Sequence, residues 1–318
     1  MRKPKYLSPT SIQQWAKDRE EFYRKYLADN RQPRMPQTEP MSVGSAFDAY
    51  IKNYLAKCLG MKEADGELKL DYLLEEQIEP QNRDFAIAAG LECFNAYKSL
   101  GATGYLMKEL EQASETPCFE YTVQATLGAD ESLLGVPLLG KPDLYFYTKS
   151  GKLCIYDWKV NGYCSKSNTS PRKGYIRCLA SGKSVATHKL AIPSLSEDGI
   201  MLDSCTSLHE LDSSWATQLA VYGWVLGGLD ASIIAGIDQL ACGKDIRVAS
   251  LRNVICPDFL ADLWTRCVEI WLAISRGEIF EKDNLATIQR LEDESKAYII
   301  DGDDNEKWYT SMMRKHAF

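Results

Sequence analysis

The chain has ten cysteines but no C-x-x-C pair. They are scattered at 58, 93, 118, 154, 164, 178, 205, 242, 256 and 267. A structural zinc site or an iron–sulfur cluster needs clustered thiolates, so neither is expected. In 318 residues with no signal core, these cysteines read as reduced, mostly buried small apolar residues. Also missing is an apolar run of the ~18 to 20 residues that a membrane span needs. The basic start, Met1-Arg-Lys-Pro-Lys-Tyr6, leads into Leu7-Ser-Pro-Thr-Ser11 and not into an apolar signal core. A cytoplasmic protein with no membrane partner is expected.

Histidine is scarce, with only His188, His209 and His316. His209-Glu210 lacks the second histidine of a zinc-protease helix, and each histidine reads as structural or exposed. Ser181-Gly182-Lys183-Ser184 resembles the end of a P-loop. The first glycine of that motif would fall at Arg177, and no clear apolar strand feeds the turn. Nucleotide triphosphate binding is therefore excluded. No internal repeat is found.

Acidic residues are absent from one long stretch. The net charge is −7, which argues against general coating of nucleic acid. Yet no Asp or Glu falls between Trp158 and Ser196, where Lys159, Lys166, Arg172, Lys173, Arg177, Lys183 and Lys189 stand. Residues 1–34 are also basic, and Glu278–Glu306 is acidic. A basic strip on an acidic protein can bind phosphates; the alternative is a solvated loop with a chance bias.

The segment Gly140-Lys-Pro-Asp143 … Ile155-Tyr-Asp157-Trp-Lys159 carries the chemistry. Side chains alternate along a strand, so Asp157 and Lys159 share one face. Asp143–Thr148 and Lys152–Asp157 read as hairpin arms around Lys149-Ser150-Gly151. A three-residue loop with glycine in the left-handed position sets Asp143 opposite Asp157. A two-residue turn would put Asp143 beside Trp158, on the wrong face. Two carboxylates and an ammonium at one point suit metal-assisted phosphodiester cleavage. A surface hairpin with solvated charges is the bland alternative.

Two helices add candidates. On Ser42–Leu59, Asp48 lies in the row Gly44, Asp48, Ile51 and Leu55. It is either a buried metal ligand or an exposed acid at the edge of an apolar face, and the helix alone leaves both open. On Ser213–Leu226, Gln218 and Tyr222 share the row Trp215, Gln218, Tyr222 and Val225. An amide there implies a specific hydrogen bond, either in a site or to core backbone.

The remaining elements follow from periodicity and punctuation. Ile12–Leu27 reads as a helix capped by Ser8-Pro9-Thr10-Ser11. Residues 71–100 read as mostly helical with a break near Pro80, and Phe119–Leu127 as a strand. Residues 160–212 read as a basic insertion with little periodicity and short strands near Gly174–Cys178 and Gly199–Leu202. Such a polar loop is expected to pack little. Ser232–Ala241 and Asp245–Ile255 read as strands, and Pro257–Arg276 as a helix. An acidic helical tail spans about 277–318. The expected fold is α/β, a central mixed sheet flanked by helices, as a single domain over 1–318.

Gly44…Asp48, Pro142-Asp143, Asp157-x-Lys159 and Gln218-x-x-x-Tyr222, in that order, resemble the PD-(D/E)XK nuclease superfamily in its RecB-like, exonuclease-type branch. Leu7-Ser-Pro-Thr-Ser11-Ile12 and Phe22-Tyr-Arg-Lys-Tyr26 resemble it too, and the likeness covers about residues 6–255. It implies a restriction-endonuclease-like core and hydrolysis of DNA in repair or recombination, in a bacterium or phage-infected cell. It implies one or two Mg2+ or Mn2+ ions on Asp143 and Asp157, with the Trp158 backbone carbonyl as a further ligand. Lys159 would position water or stabilise the transition state, while Gln218 and Tyr222 would support the site and the DNA. Asp48 stands where the branch usually has histidine, and a carboxylate can replace it as a hard oxygen ligand. No iron–sulfur cluster is expected, because the late cysteines are too few and too far apart. Lys166, Arg172, Lys173 and Arg177 would lie along DNA, and a recombination or replication protein is a further expected partner. The rival is an inactive nucleic-acid-binding module on the same fold.

Overall fold

The computed structural model describes residues 1–128, 135–165, 174–181, 189–192, 194–195, 199–203, 206–280 and 284–296. Pro9–Lys17 (α1) and Arg19–Phe22 (α2) run into a π-helical turn at Tyr23–Leu27. Glu39–Cys58 (α3), Leu70–Gln77 (α4), Arg83–Ser99 (α5) and Ala102–Leu110 (α6) follow. Five strands come next: Cys118–Phe119 (β1), Val123–Leu127 (β2), Val136–Gly140 (β3), Leu144–Tyr147 (β4) and Leu153–Asn161 (β5). Tyr175–Ser181 (α7), Leu190–Ala191 (β6), Ser194–Leu195 (β7), Met201–Leu202 (β8) and Leu208–Leu211 (α8) occupy the basic region. Ser213–Gly227 (α9), Ile233–Ala241 (β9), Arg247–Val254 (β10), Pro257–Arg276 (α10) and Asn284–Ser295 (α11) complete the described chain.

Six strands form one mixed sheet in the order β1-β4-β5-β9-β10-β6. The β5/β9 and β10/β6 pairs are parallel, and the others antiparallel. The fold is α/β, as expected. β9 is buried along its whole length, and the two polar residues within it are partnered: Asp238 by Arg252 at 2.7 Å and Gln239 by the Ile176 N–H at 2.8 Å. Ile155 and Leu153 of β5 join a core with α1, α9 and α10 on one side of the sheet. Tyr156 and Trp158 join a second core with α3, α5 and α6 on the other. The alternation of β5 thus divides two helical layers, and Asp157 falls on the α9 side.

Several expected elements differ. The helix over Ile12–Leu27 is broken at Asp18, whose backbone is extended. Its carboxylate caps the next turn by accepting the Glu21 N–H at 3.0 Å, a local bond that competes with helix continuation. The strand over Phe119–Leu127 is split at Glu120, whose φ is 53°. Its two halves enter different sheets, so Phe119, Tyr121 and Val123 do not share one strand face. Gly174–Cys178 enters helix α7, not a strand. There the Ile176 N–H donates to the buried Gln239 amide at 2.8 Å, a tertiary contact with no local signal. α6 lies past the expected end of the preceding helix at Leu100.

The 160–212 region packs more than a polar loop should. β6 extends the sheet beside β10, and Tyr175, Ile176 and Ile200 are buried. The described part of the acidic tail meets the basic N-terminal segment. Glu292 accepts from Tyr23 Oη at 2.5 Å, and Arg24 pairs with Glu294 at 3.0 Å. No helix among the described residues is long and apolar enough to cross a membrane.

Candidate active site

The β4–β5 hairpin closes through Lys149-Ser150-Gly151, with Gly151 at φ +82°. The Thr148 N–H donates to the Lys152 carbonyl at 2.9 Å, and the strands pair Leu144 with Tyr156. Continuing that register by one step sets Asp143 across from Asp157. Asp143 Oδ2 accepts the Trp158 N–H at 3.1 Å, which fastens the carboxylate to β5. The N–H and C=O of one strand residue leave on the same edge, so the Trp158 carbonyl faces the Asp143 side as well.

Asp157 is buried, and its Oδ2 lies 2.5 Å from Lys159 Nζ. Gln218 on α9 joins the pair. Its Nε2 donates to Asp157 Oδ1 at 2.9 Å, and its Oε1 accepts from Lys159 Nζ at 2.9 Å. The same amide nitrogen lies 3.0 Å from Tyr222 Oη, one turn on. Tyr222 is held close because Gly140 presents no side chain. A Cβ there would stand 2.9 Å from Tyr222 Cδ1 and 2.7 Å from Val225 Cγ2.

Asp48 approaches from α3, in the other helical layer. Its Oδ2 accepts from Lys52 Nζ at 2.5 Å, while its Oδ1 is buried with no hydrogen-bond partner. Asp48 is therefore not the exposed acid that its helix left open. Burial pushes both Asp48 and Asp143 up to about 7. Asp157 pushes Asp143 further up, and Asp143 does the same to Asp48, against the pull of Lys52 and Lys159. Burial works to lower Lys159 and Lys52, but the carboxylates outweigh it and hold both ammoniums above their ordinary value. Burial and then Asp157 raise Tyr222, so the phenol stays protonated.

The five residues Asp143, Asp157, Lys159, Gln218 and Tyr222 thus form one connected cluster, with Asp48 within electrostatic reach. Among the described residues, no three His, Cys, Asp or Glu side chains are gathered into a ready ligand sphere. Lysines cover carboxylate oxygens instead. The donor set still suits a hard divalent ion: one carboxylate just before β4 and one on β5, a neighbouring carbonyl, and an unpartnered buried oxygen on Asp48.

Sequence reasoning missed three members of the cluster. Lys52 stands four residues after Asp48, a helical ion-pair spacing that could have revealed it. Lys141 directly precedes Pro142-Asp143. It pairs with Glu120 at 2.5 Å, and Glu120 itself carried no sequence signal. An open pocket of about 380 Å³ lies against the cluster. Its wall includes Lys159, Gln218, Tyr222, Lys141, Ser8 and Thr10, but none of the three aspartates. Of the residues expected along DNA, Arg177 is exposed on α7, while Lys166, Arg172 and Lys173 lie outside the described residues.

No family profile matches the sequence, and no curated protein does. Among solved structures, a protein of Eubacterium rectale provisionally named an exonuclease is similar at 14% identity and TM-score 0.43. The match covers 86% of this chain and 82% of that one. A protein called SSO0001 is similar at 10% identity and TM-score 0.24, covering 82% of this chain and 86% of that one. Likeness at this level carries no argument about chemistry, which must be read from the residues themselves.

Proposed function

We propose that the chain is a metal-dependent deoxyribonuclease of the PD-(D/E)XK type, acting in DNA repair or recombination. The observation that carries this reading is the Gln218 amide, bonded at once to Asp157 and Lys159. A solvated surface hairpin has no use for an amide that fixes both charges. Asp143 and Asp157 would hold Mg2+ or Mn2+, with Asp48 Oδ1 and the Trp158 carbonyl as further oxygen ligands. A divalent ion bound there supplies Lewis-acid polarisation of the phosphate and a more acidic water.

The chain's own residues supply the rest. Lys159 presents a fixed positive charge on the wall of the pocket, where a phosphate would gather charge in the transition state. Gln218 fixes the rotamers of Asp157 and Lys159. Tyr222 orients the amide. The basic strip of Lys166, Arg172, Lys173 and Arg177 would run along the phosphate backbone. Digestion of end-labelled linear and closed circular DNA with Mg2+ tests the activity and separates cleavage from ends from internal cleavage. A binding module without turnover is the second reading, and the lysines seated on Asp48 and Asp157 favour it. DNA bound but left intact at any divalent ion concentration would select it.

A further inference from the structure

Lys52 is the most deeply buried charge beside the site. Its side chain is 1% exposed, and lysine is almost never fully buried unless paired. The ammonium lies 2.5 Å from Asp48 Oδ2 and 3.5 Å from Glu120 Oε2. Asp143 adds to the field around it. Three carboxylates therefore converge on one ammonium.

The arrangement is held from several directions. Glu120 reaches Lys52 through a left-handed backbone, and it is the only non-glycine residue with positive φ among those described. Its N–H donates to the Asp143 carbonyl at 3.2 Å, so its backbone is tied to the same turn as the catalytic carboxylate. Gln77 donates to Glu120 Oε2 at 2.8 Å. Strain at one residue, maintained by bonds from three others, marks a position fixed for a purpose.

We infer that the Lys52 ammonium is an internal counter-cation that competes with a divalent ion for Asp48. This rests on the nuclease reading above. With every carboxylate ionised, Asp48, Glu120, Asp143 and Asp157 face Lys52, Lys141 and Lys159, which leaves one negative charge over. With Lys52 on Oδ2, Asp48 offers an ion only its free Oδ1. Removing the ammonium frees the second oxygen and leaves the cluster one unit more negative. Lys52 thus keeps the carboxylates neutralised without a metal and weakens divalent binding.

The test is calorimetric titration of Mn2+ into the full chain, wild type beside Lys52→Met, which keeps an apolar stem without the charge. Melting temperature is followed in parallel. The ion-free variant melts lower. Its Mn2+ affinity rises about tenfold or more, because a unit charge within a few ångströms of the ion is removed. A lysine serving only the fold would also lower the melting temperature but leave Mn2+ affinity unchanged or weaker, and that result overturns the inference. If Lys52→Met does not fold, Glu120→Gln reads the converse. Removing that partly exposed carboxylate leaves Lys52 wholly to Asp48, so Mn2+ binds about tenfold more weakly, and unchanged affinity overturns the inference. Absence of Mn2+ binding in wild type and in Lys52→Met alike removes this inference and the nuclease reading together. Wild-type binding with both variants unmoved removes only the competition by Lys52.

Discussion

Gln218 donates its side-chain amide to Asp157 Oδ1 at 2.9 Å, joining helix α9 to the strand that carries D-x-K. The same amide accepts from Lys159, so one residue sets the orientation of both charges. Gln218→Ala is expected to lower turnover by roughly 10–100-fold, the usual cost of losing a partner that orients a metal ligand. Gln218→Glu should do at least as much harm. It keeps an acceptor for Lys159 but faces Asp157 with a second carboxylate. Steady-state rates on a DNA substrate check this, and wild-type rates in both variants would make Gln218 a packing residue.

The charge cluster has a pH signature. Asp48 and Asp143 are raised from 3.8 to about 7 in the folded chain. Between those values the folded chain holds more protons than the unfolded one, so each group costs stability as pH rises through that window. Lys52 and Lys159, raised above 10.5, remain charged throughout it. In metal-free buffer, Asp143→Asn should therefore gain stability relative to wild type as pH increases from about 4 to about 7. Denaturant melts of both proteins across that range measure the difference. A gap that is constant with pH would mean that Asp143 titrates normally.

Gly140 allows β3 to approach α9. Gly140→Ala would set a methyl 2.7 Å from Val225 and 2.9 Å from Tyr222. The helix must shift, at a cost of about 1–3 kcal/mol for overpacking. Tyr222 and Gln218 ride on that helix, so turnover should fall along with stability. A variant with wild-type melting temperature and rate would show that the neighbours yield without moving the helix.

The basic strip makes a separate prediction about DNA. Neutralising Lys166, Arg172, Lys173 and Arg177 together should weaken binding to all sequences about equally. The salt dependence should flatten by about 0.9 in log–log slope for each phosphate that the variant no longer neutralises. Rates at saturating DNA should persist, since no residue of the charge cluster is changed. Affinity across a salt series is the measurement. Parallel slopes for wild type and variant would return these residues to the role of a solvated loop.

The hairpin was legible because its register depends on local chemistry: glycine at position 151 fixes a three-residue loop, and alternation does the rest. The helices bearing Asp48 and Gln218 were legible from apolar rows. Glu120 was not, because its place follows from a break in a stretch that alternates well enough to read as one strand. α7 has no local signal for a related reason, since an N–H in its first turn is satisfied by Gln239, a distant residue. Lys52 gives no distinguishing signal, because its spacing from Asp48 is ordinary. A surface ion pair has the same spacing, and only the packing of α3 against β5 makes this one buried.

The central claim is that Asp157 and Lys159 form part of a hydrolytic centre that works with a divalent ion. The most direct test follows end-labelled DNA through incubation with wild type, Asp157→Asn and Lys159→Ala, with Mg2+ and with chelator. Wild type is predicted to cleave only with Mg2+. Asp157→Asn should lose detectable turnover. Lys159→Ala should lose on the order of 10²–10³-fold while still binding DNA, because the ammonium acts on charge that develops in the transition state. Undiminished cleavage by either variant, or by wild type in chelator, would contradict the assignment.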